Sequence, residues 1–359
     1  MNKKEKELFW ELSKFLTADK NKLDSLLPEG ATPAVLGHLF FNRMAATAFD
    51  VLRSRGMLGK LNREFRNSLQ NAYLQNIERN ESFFHCLKLL SSILEEHKNK
   101  YAMLKGAMLC GFYPRGYRTS NDIDLLVAPE DVSAIGKTLT KVGFRQGHIR
   151  NGEFTPADRR EIIDSKVNRG ETVPYILEVK LPFMRYLEVD INFSLDYKNS
   201  DPTTIRQMLQ RAIDYRVTDD VRIRTLGHTD FFIHLCAHLY KEATTLPWVK
   251  MNRDLTLYKF CDIYMELCIL SYHDIDNVFK HAEELGVADI CACVILWTEQ
   301  LLPANNTYGI EVAKAQLSGR EELLDLIFDP AGKKQFRYSE PDIRKRFFAS
   351  DRSKLLTEE

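Results

Sequence analysis

The sequence has no excess of charge of either sign, because its 50 lysines and arginines are matched by 50 aspartates and glutamates. Broad binding to nucleic acid needs surplus cations to displace counterions, so a nucleic-acid partner is not expected. Long apolar runs are also missing: the longest, Ile290 to Trp297, is far shorter than the roughly 20 residues that span a bilayer. The amino end is mixed and amphipathic, unlike a secretory signal. These absences predict a cytoplasmic protein with no membrane partner.

Cysteine pairs with the spacing of a zinc site are absent as well. The seven cysteines lie among apolar neighbours, and Cys291 and Cys293 are too close in sequence for zinc-ligand spacing. We therefore expect reduced thiols in the core. Neither a Walker-type P-loop nor a G-x-G-x-x-G loop occurs, which argues against a kinase. A length of 359 residues is enough for two or three structural units.

A pair of spaced aspartates marks the stretch from Tyr101 to Val127. Successive side chains of a strand point to opposite faces, so Asp122 and Asp124 share one face of the strand that they begin. Two carboxylates held so close repel each other unless a cation lies between them. Mg²⁺ prefers oxygen ligands and commonly bridges carboxylates to substrate phosphates. The pattern predicts a site for Mg²⁺, or for Mn²⁺, which also suits carboxylates.

The residues before this pair carry a family resemblance. Lys105-Gly106, followed by Arg118-x-Ser120 and Asn-Asp-Ile-Asp-Leu-Leu-Val, resembles the signature of the nucleotidyltransferase superfamily typified by DNA polymerase beta and the aminoglycoside nucleotidyltransferases. Within it, the Leu-Lys-Gly opening, Tyr113-Pro114 and Arg118 are similar to a bacterial family of uncharacterised nucleotidyltransferases. The resemblance is specific over about residues 100 to 195. One departure is Ala107, which stands where the superfamily usually has a serine that contacts phosphate.

The resemblance implies an α+β fold, with a polymerase-beta-like core of mixed sheet and helices flanked by helical regions. Apolar residues that recur at helical spacing support helices on both sides of the core. We therefore expect an N-terminal helical region over 1–98, a catalytic core over 99–200 and a C-terminal helical region over 201–359. The polar stretch 150–172 is expected to be an exposed loop or meander that reaches over the site.

A third carboxylate is expected on a hairpin formed by Tyr175–Lys180 and Tyr186–Phe193. In the second run acidic and apolar residues alternate, so one face is polar. Asp190 on that face resembles the third carboxylate of the superfamily. The resemblance implies that it acts as general base toward the acceptor hydroxyl and helps to hold the metal. Glu188 and Glu178 are rivals for this position.

The resemblance also implies which residues contact the nucleotide. Lys105 or Arg118 would offset the charge of the β and γ phosphates, and Ser120 belongs to the same signature. The backbone at Gly106 would approach the phosphates closely because no Cβ intervenes.

A pair of histidines lies farther along the chain, in FFIHLCAHLYKEA. His234 and His238 are four residues apart and share a helix face, but the glutamate of a zincin and a third ligand are missing. A partly buried, hydrogen-bonded pair is therefore expected here. The resemblance suggests that His238 and Lys241 touch the nucleotide phosphates or the acceptor.

The implied reaction is transfer of a nucleoside monophosphate from an NTP to a hydroxyl, phosphate or carboxylate of a small molecule, natural product or peptide or protein, with release of pyrophosphate. The alternative from another class is a catalytically silent, antitoxin-like regulatory protein that keeps the fold. The substitution at Ala107 is its main support. The base of the NTP, the acceptor and the oligomeric state do not follow from these residues.

Overall fold

A computed structural model describes residues 1–168, 170–195, 202–304 and 306–359. The chain forms two compact units. The first contains residues 1–76, 239–275 and 287–359, and the second contains 77–238 and 276–286. The division expected at residues 98 and 200 stays a prediction, and its junction at 200–201 lies outside the described residues.

Helices occur in both units. In chain order, the described α-helices are α1 (Lys3–Leu12), α2 (Lys20–Gly30), α3 (Pro33–Phe41), α4 (Ala45–Ser54), α5 (Arg63–Ile93), α6 (Gly106–Phe112), α7 (Val132–Lys141), α8 (Arg159–Asn168), α9 (Pro202–Gln210), α10 (His228–Ala243), α11 (Leu246–Lys250), α12 (Leu257–Leu267), α13 (Tyr272–Glu284), α14 (Ala288–Leu301), α15 (Thr307–Gln316) and α16 (Ile343–Phe347). Of the described helices, none combines the length and the apolar character needed to cross a bilayer.

The second unit contains a mixed sheet with the order β4-β3-β5-β6-β2-β1-β8-β7. Its strands are β1 (Tyr101–Met103), β2 (Asp122–Val127), β3 (Arg145–Arg150), β4 (Glu153–Pro156), β5 (Tyr175–Leu181), β6 (Met184–Asn192), β7 (Ile213–Arg216) and β8 (Arg222–Thr225). Strand β2 runs parallel to β6 and antiparallel to β1, while β5 and β6 form the expected antiparallel hairpin. The predicted α+β class is confirmed.

The middle of this sheet is buried because of its sequence pattern. Every residue of β2 after Asp122 is buried, and in β6 the apolar residues Leu187, Val189 and Ile191 are fully buried while their polar neighbours are half-buried. Helix α7 adds a buried stripe of Val132, Ile135 and Leu139. The start of β2 at Asp122 and the polar face of β6 therefore lie next to each other at the edge of the core.

Two expectations about secondary structure were wrong. The polar stretch 150–172 contains β4 and α8 in addition to turns, although it has few apolar anchors. The region after residue 201 was expected to be helical, yet β7 and β8 extend the main sheet. Three further strands, β9 (Leu326–Asp329), β10 (Lys334–Tyr338) and β11 (Leu356–Glu358), form a small sheet in the first unit. All these strands are short, and their stability depends on packing and pairing with neighbouring strands more than on intrinsic β-propensity.

The first unit joins residues from both ends of the sequence. The ring of Phe347 lies 5.5 Å from the ring of Phe9 and 4.9 Å from that of Trp10, measured between centroids. A second apolar cluster consists of Leu246 and Val249 packed with Ile327 and Tyr338 of the small sheet. Aromatic pairs at such distances stabilise a core beyond the area that they bury. The unit thus depends on contacts between residues more than 300 positions apart in the sequence.

Candidate active site

Four acidic side chains meet on one face of the main sheet. The register of β2 and β6 pairs Asp122 with Glu188 and Asp124 with Asp190. Paired residues of neighbouring strands point to the same face, and the strands are about 4.8 Å apart. The two aspartates of the Asp-x-Asp pattern therefore lie beside two acids contributed by a strand more than 60 residues away in sequence. We call this group the carboxylate cluster.

Lys105 supplies a positive charge to the carboxylate cluster. Its Nζ lies 2.9 Å from Oδ1 of Asp124, and its side chain is 19% exposed. The residue joins β1 to α6 with φ of 47°, in the left-handed region that only glycine adopts easily. Such a conformation costs about 1–3 kcal/mol and persists where surrounding structure requires it. The strained turn directs the lysine chain back toward β2.

The carboxylate cluster perturbs the pKa of its members. Burial, followed by the charges of Asp124 and Asp122, raises the pKa of Asp190 well above its ordinary value, while Lys105 opposes this shift. Burial and Asp122 likewise raise the pKa of Glu188. For Lys105, burial lowers the pKa, but the neighbouring carboxylates outweigh it and the net shift is upward. Positive charge is therefore scarce here, and an added cation would be stabilised.

Ser120 connects the turn after β1 to the start of β2. Its hydroxyl donates to Oδ1 of Asp122 at 2.9 Å. A Cβ on Gly106 would lie 2.4 Å from both Cβ and Oγ of Ser120, so this serine fits only because residue 106 is glycine. The predicted approach of the Gly106 backbone to phosphates stays a prediction, and close packing against Ser120 is a reason for glycine that the sequence did not indicate.

A model of the family described as uncharacterised nucleotidyltransferase matches residues 33–303, about three quarters of the chain. The chain belongs to this family. It is accordingly an enzyme of the transferase class that uses a nucleoside triphosphate, and its mixed sheet is the polymerase-beta-like core of a nucleotidyltransferase. A comparison with curated proteins gave no match.

Ala107 of this nucleotidyltransferase lies in the first turn of α6 and is fully buried. Its backbone N–H donates to the carbonyl of Leu104 at 3.1 Å. A serine at this position would place its hydroxyl among core residues, whereas the hydroxyl of Ser120 reaches Asp122. The departure at Ala107 therefore leaves the carboxylate cluster intact, and the lost serine contact to phosphate is the support that remains for a catalytically silent protein.

Arg118 lies in the loop before β2 and is 8% exposed. Its guanidinium donates to the carbonyl of Thr119. This contact orients the side chain of Arg118, which precedes Asp122 by four residues. Its role at the nucleotide phosphates stays a prediction.

The rivals of Asp190 occupy different positions on the sheet. Glu178 on β5 is paired with Tyr186, which precedes Asp190 by four residues on β6. Its carboxylate accepts a hydrogen bond from Nε of Arg185 at 3.1 Å. Glu188 is the neighbour of Asp122. The register thus favours Asp190 and Glu188 over Glu178 as partners of the Asp-x-Asp pair.

The two histidines of α10 do stack. His234 is buried, and its ring lies 6.5 Å from that of His238 with 13° between the planes. His238 belongs to the second unit and Lys241 to the first, both on the same helix. The roles of His238 and Lys241 in binding nucleotide or acceptor stay predictions.

Sequence reasoning missed one residue that contacts the carboxylate cluster, Asn192. Asn192 on β6 donates from Nδ2 to Oδ1 of Asp124 at 3.3 Å and to the carbonyl of Asp190 at 3.4 Å. The alternation of polar and apolar residues in β6 could have indicated Asn192, because it follows Asp190 by two residues and so lies on the same face. Asn192 therefore orients the aspartate that Lys105 also holds.

The donor chemistry of the cluster fits a hard divalent cation. Within the described part of the chain, no three His, Cys, Asp or Glu side chains are arranged to hold a metal ion by themselves. Mg²⁺ rarely needs such an arrangement, because one or two carboxylates, waters and substrate phosphates complete its shell. Asp122 and Asp124 suit that partial role, with the ion arriving together with the triphosphate.

Proposed function

We propose that this enzyme moves a nucleoside monophosphate from an NTP to a hydroxyl, phosphate or carboxylate of a small molecule, natural product, peptide or protein in a Mg²⁺-dependent reaction. The observation that carries the proposal is the register of β2 and β6, which sets Asp122 beside Glu188 and Asp124 beside Asp190. Members of the family transfer nucleotides. Carboxylates clustered in this way support metal-assisted phosphoryl chemistry.

Asp122 and Asp124 are the residues proposed to hold Mg²⁺. When bound, the ion neutralises charge on the triphosphate and favours departure of pyrophosphate. Lys105, already 2.9 Å from Asp124, is the cation proposed to meet the β and γ phosphates, with Arg118 as the second. The hydrogen bond from Ser120 keeps the Asp122 carboxylate in a fixed orientation.

Asp190 is proposed as the general base. The acceptor oxygen forms a bond to the α-phosphorus, the bond from that phosphorus to the bridging oxygen breaks, and pyrophosphate leaves. The proton of the acceptor hydroxyl passes to the carboxylate of Asp190. Burial and the charges of Asp124 and Asp122 raise the pKa of Asp190.

Thermal melts with Mg²⁺ and each of ATP, GTP, CTP and UTP test this proposal. A ligand present at a hundred times its dissociation constant stabilises the folded state by about 2.7 kcal/mol. We expect one nucleotide to raise Tm when Mg²⁺ is present and EDTA to abolish the shift. The double variant Asp122→Asn/Asp124→Asn should not respond, whereas Glu178→Gln, which changes one charge on β5, should respond like the wild type.

An Asp122→Asn enzyme that retains wild-type nucleotide transfer would refute the metal assignment. If no nucleotide shifts the melt of the wild type, the proposed donor chemistry is wrong.

A further inference from the structure

One carboxylate oxygen of Asp124 already has two donors. Nζ of Lys105 lies 2.9 Å from Oδ1 of Asp124, and Nδ2 of Asn192 donates to the same oxygen at 3.3 Å. A carboxylate oxygen offers two lone pairs, so both acceptor positions of Oδ1 are taken. A metal ion therefore binds this oxygen only after one of the two donors has left.

The two donors differ in charge. The amide of Asn192 is neutral and can stay beside a bound cation, whereas the ammonium of Lys105 repels a cation at either oxygen of Asp124. The side chains of Lys105 and Asp124 are only 19% and 11% exposed, so water and salt weaken this repulsion less than at the surface. Lys105 is therefore the donor that has to move when Asp124 binds a divalent ion.

The lysine interacts with the carboxylate cluster as a whole. Burial lowers the pKa of Lys105, but the carboxylates outweigh it, Asp124 most and then Asp122 and Asp190, so the amine keeps its proton at neutral pH. A positive charge in this position offsets the repulsion between the carboxylates, which is also what a bound divalent ion does. The lysine and a metal ion thus compete for the same negative charge.

We propose that Lys105 controls the order in which metal and nucleotide bind. Before a nucleotide binds, the ammonium holds Asp124 and keeps divalent ions out of the carboxylate cluster. A triphosphate draws the ammonium onto its β and γ phosphates, within reach of the flexible lysine stem, and Asp124 then becomes available to Mg²⁺. The inference rests on the proposed function, because it takes Asp124 as a ligand of Mg²⁺ and Lys105 as a contact of the phosphates.

Binding of Mn²⁺ to the full-length protein without nucleotide tests the inference. Mn²⁺ suits carboxylate ligands, and the sharp EPR signal of the free ion is lost when it binds. We expect Lys105→Met to bind Mn²⁺ more tightly than the wild type by about tenfold or more, because a like charge has been removed. Lys105→Arg keeps the charge and should bind as weakly as the wild type. Equal affinities of Lys105→Met and the wild type would overturn the inference.

Two further variants separate charge from hydrogen bonding and locate the ion. Asn192→Ala is the matched control, because it removes the other hydrogen bond to Oδ1 of Asp124 and no charge, so its affinity for Mn²⁺ should not rise. Asp124→Asn/Lys105→Met should lose the gain of Lys105→Met. A gain that appears in Asn192→Ala, or one that persists in the double variant, contradicts the inference. If circular dichroism shows that Lys105→Met does not fold, the neutral Lys105→Gln replaces it with the same expectation.

The nucleotide melts show which proposal fails. If Mg²⁺ and one NTP stabilise the wild type while Lys105→Met gains no affinity for Mn²⁺, only the inference about the order of binding is wrong. If Lys105→Met gains affinity at Asp124 but no nucleotide stabilises the wild type, the proposed function is wrong, and with it the role of the triphosphate. Exclusion of cations by Lys105 would then stand by itself.

Discussion

At the scale of single residues, the turn from β1 into α6 combines two backbone requirements. Lys105 adopts a left-handed conformation, and Gly106 leaves room for the side chain of Ser120. Together they bring an ammonium group and a hydroxyl to Asp124 and Asp122. The site therefore depends on backbone geometry at positions 105 and 106 as much as on the acidic side chains.

Gly106→Ala should destabilise the protein by about 1–3 kcal/mol, because the new Cβ would lie 2.4 Å from two atoms of Ser120. Urea unfolding measures the loss. Adding Ser120→Gly should recover most of it by removing both atoms. Gly37→Ala is the control, since a Cβ at position 37 would meet no atom within 4 Å and alanine favours the helix. Equal effects of the two substitutions would contradict the packing argument.

Lys105→Met should weaken binding of the nucleotide identified by the melts at least tenfold, or about 1.4 kcal/mol. The substitution removes the cation at Asp124 while keeping most of the side-chain volume. Isothermal titration with Mg²⁺ present measures the dissociation constant. Lys100→Met is the control, since Lys100 pairs with Asp131 at 2.8 Å and is half exposed. Unchanged affinity in Lys105→Met would remove this residue from the proposed site.

At the scale of elements, one buried aspartate joins three parts of the second unit. Asp230 at the start of α10 is 2% exposed and accepts from Arg211 through Nε at 2.7 Å and Nη2 at 2.8 Å. Nδ1 of His281, on α13, lies 3.3 Å from the same carboxylate. This explains why the short segment 276–286 belongs to a unit otherwise made of residues 77–238.

Asp230→Ala should cost about 1.5–3 kcal/mol of unfolding free energy, because the partly exposed Arg211 would lose two charge-assisted hydrogen bonds. Chemical unfolding measures the change. Asp219→Ala is the matched control: Asp219 pairs with Arg216 at the surface, where such pairs contribute about 0–1 kcal/mol. Similar losses in the two variants would show that Asp230 does not hold the elements together.

At the scale of the whole molecule, the cysteines behave as core residues. All seven are free thiols, and Cys268 alone is exposed. Burial raises the pKa of Cys86 to about 11 and that of Cys293 to about 12. Since the thiolate is the reactive form, these groups are protected at neutral pH both by access and by charge state.

A thiol reagent should therefore modify one cysteine rapidly in the native protein and all seven after unfolding in denaturant. Burial also raises the pKa of Cys268, so even this reaction should accelerate as pH increases. Cys268→Ser should abolish the rapid phase. A titre below seven in the unfolded, unreduced protein would reveal a disulfide and contradict the free thiols.

The sequence predicted the parts of the site that a local pattern determines. Alternation in β2 and β6 indicated which face carries Asp122, Asp124 and Asp190, and the hairpin of β5 and β6 formed as expected. The ion pair of Lys105 with Asp124 arises from a contact between residues in different elements, which no spacing reveals. Strand β8 was missed for the same reason, because it pairs with β1, more than 100 residues earlier.

The ring contacts of Phe347 with Phe9 and Trp10 fix the order in which the chain can mature during synthesis. A ribosome adds about 5–20 residues per second, so the amino-terminal helix leaves the exit tunnel long before Phe347 is translated. Residues 77–238 are then already available to fold, while the first unit still lacks 287–359. In newly made chains the rings of Phe9 and Trp10 therefore stay without their Phe347 contact until the last part of the first unit is translated.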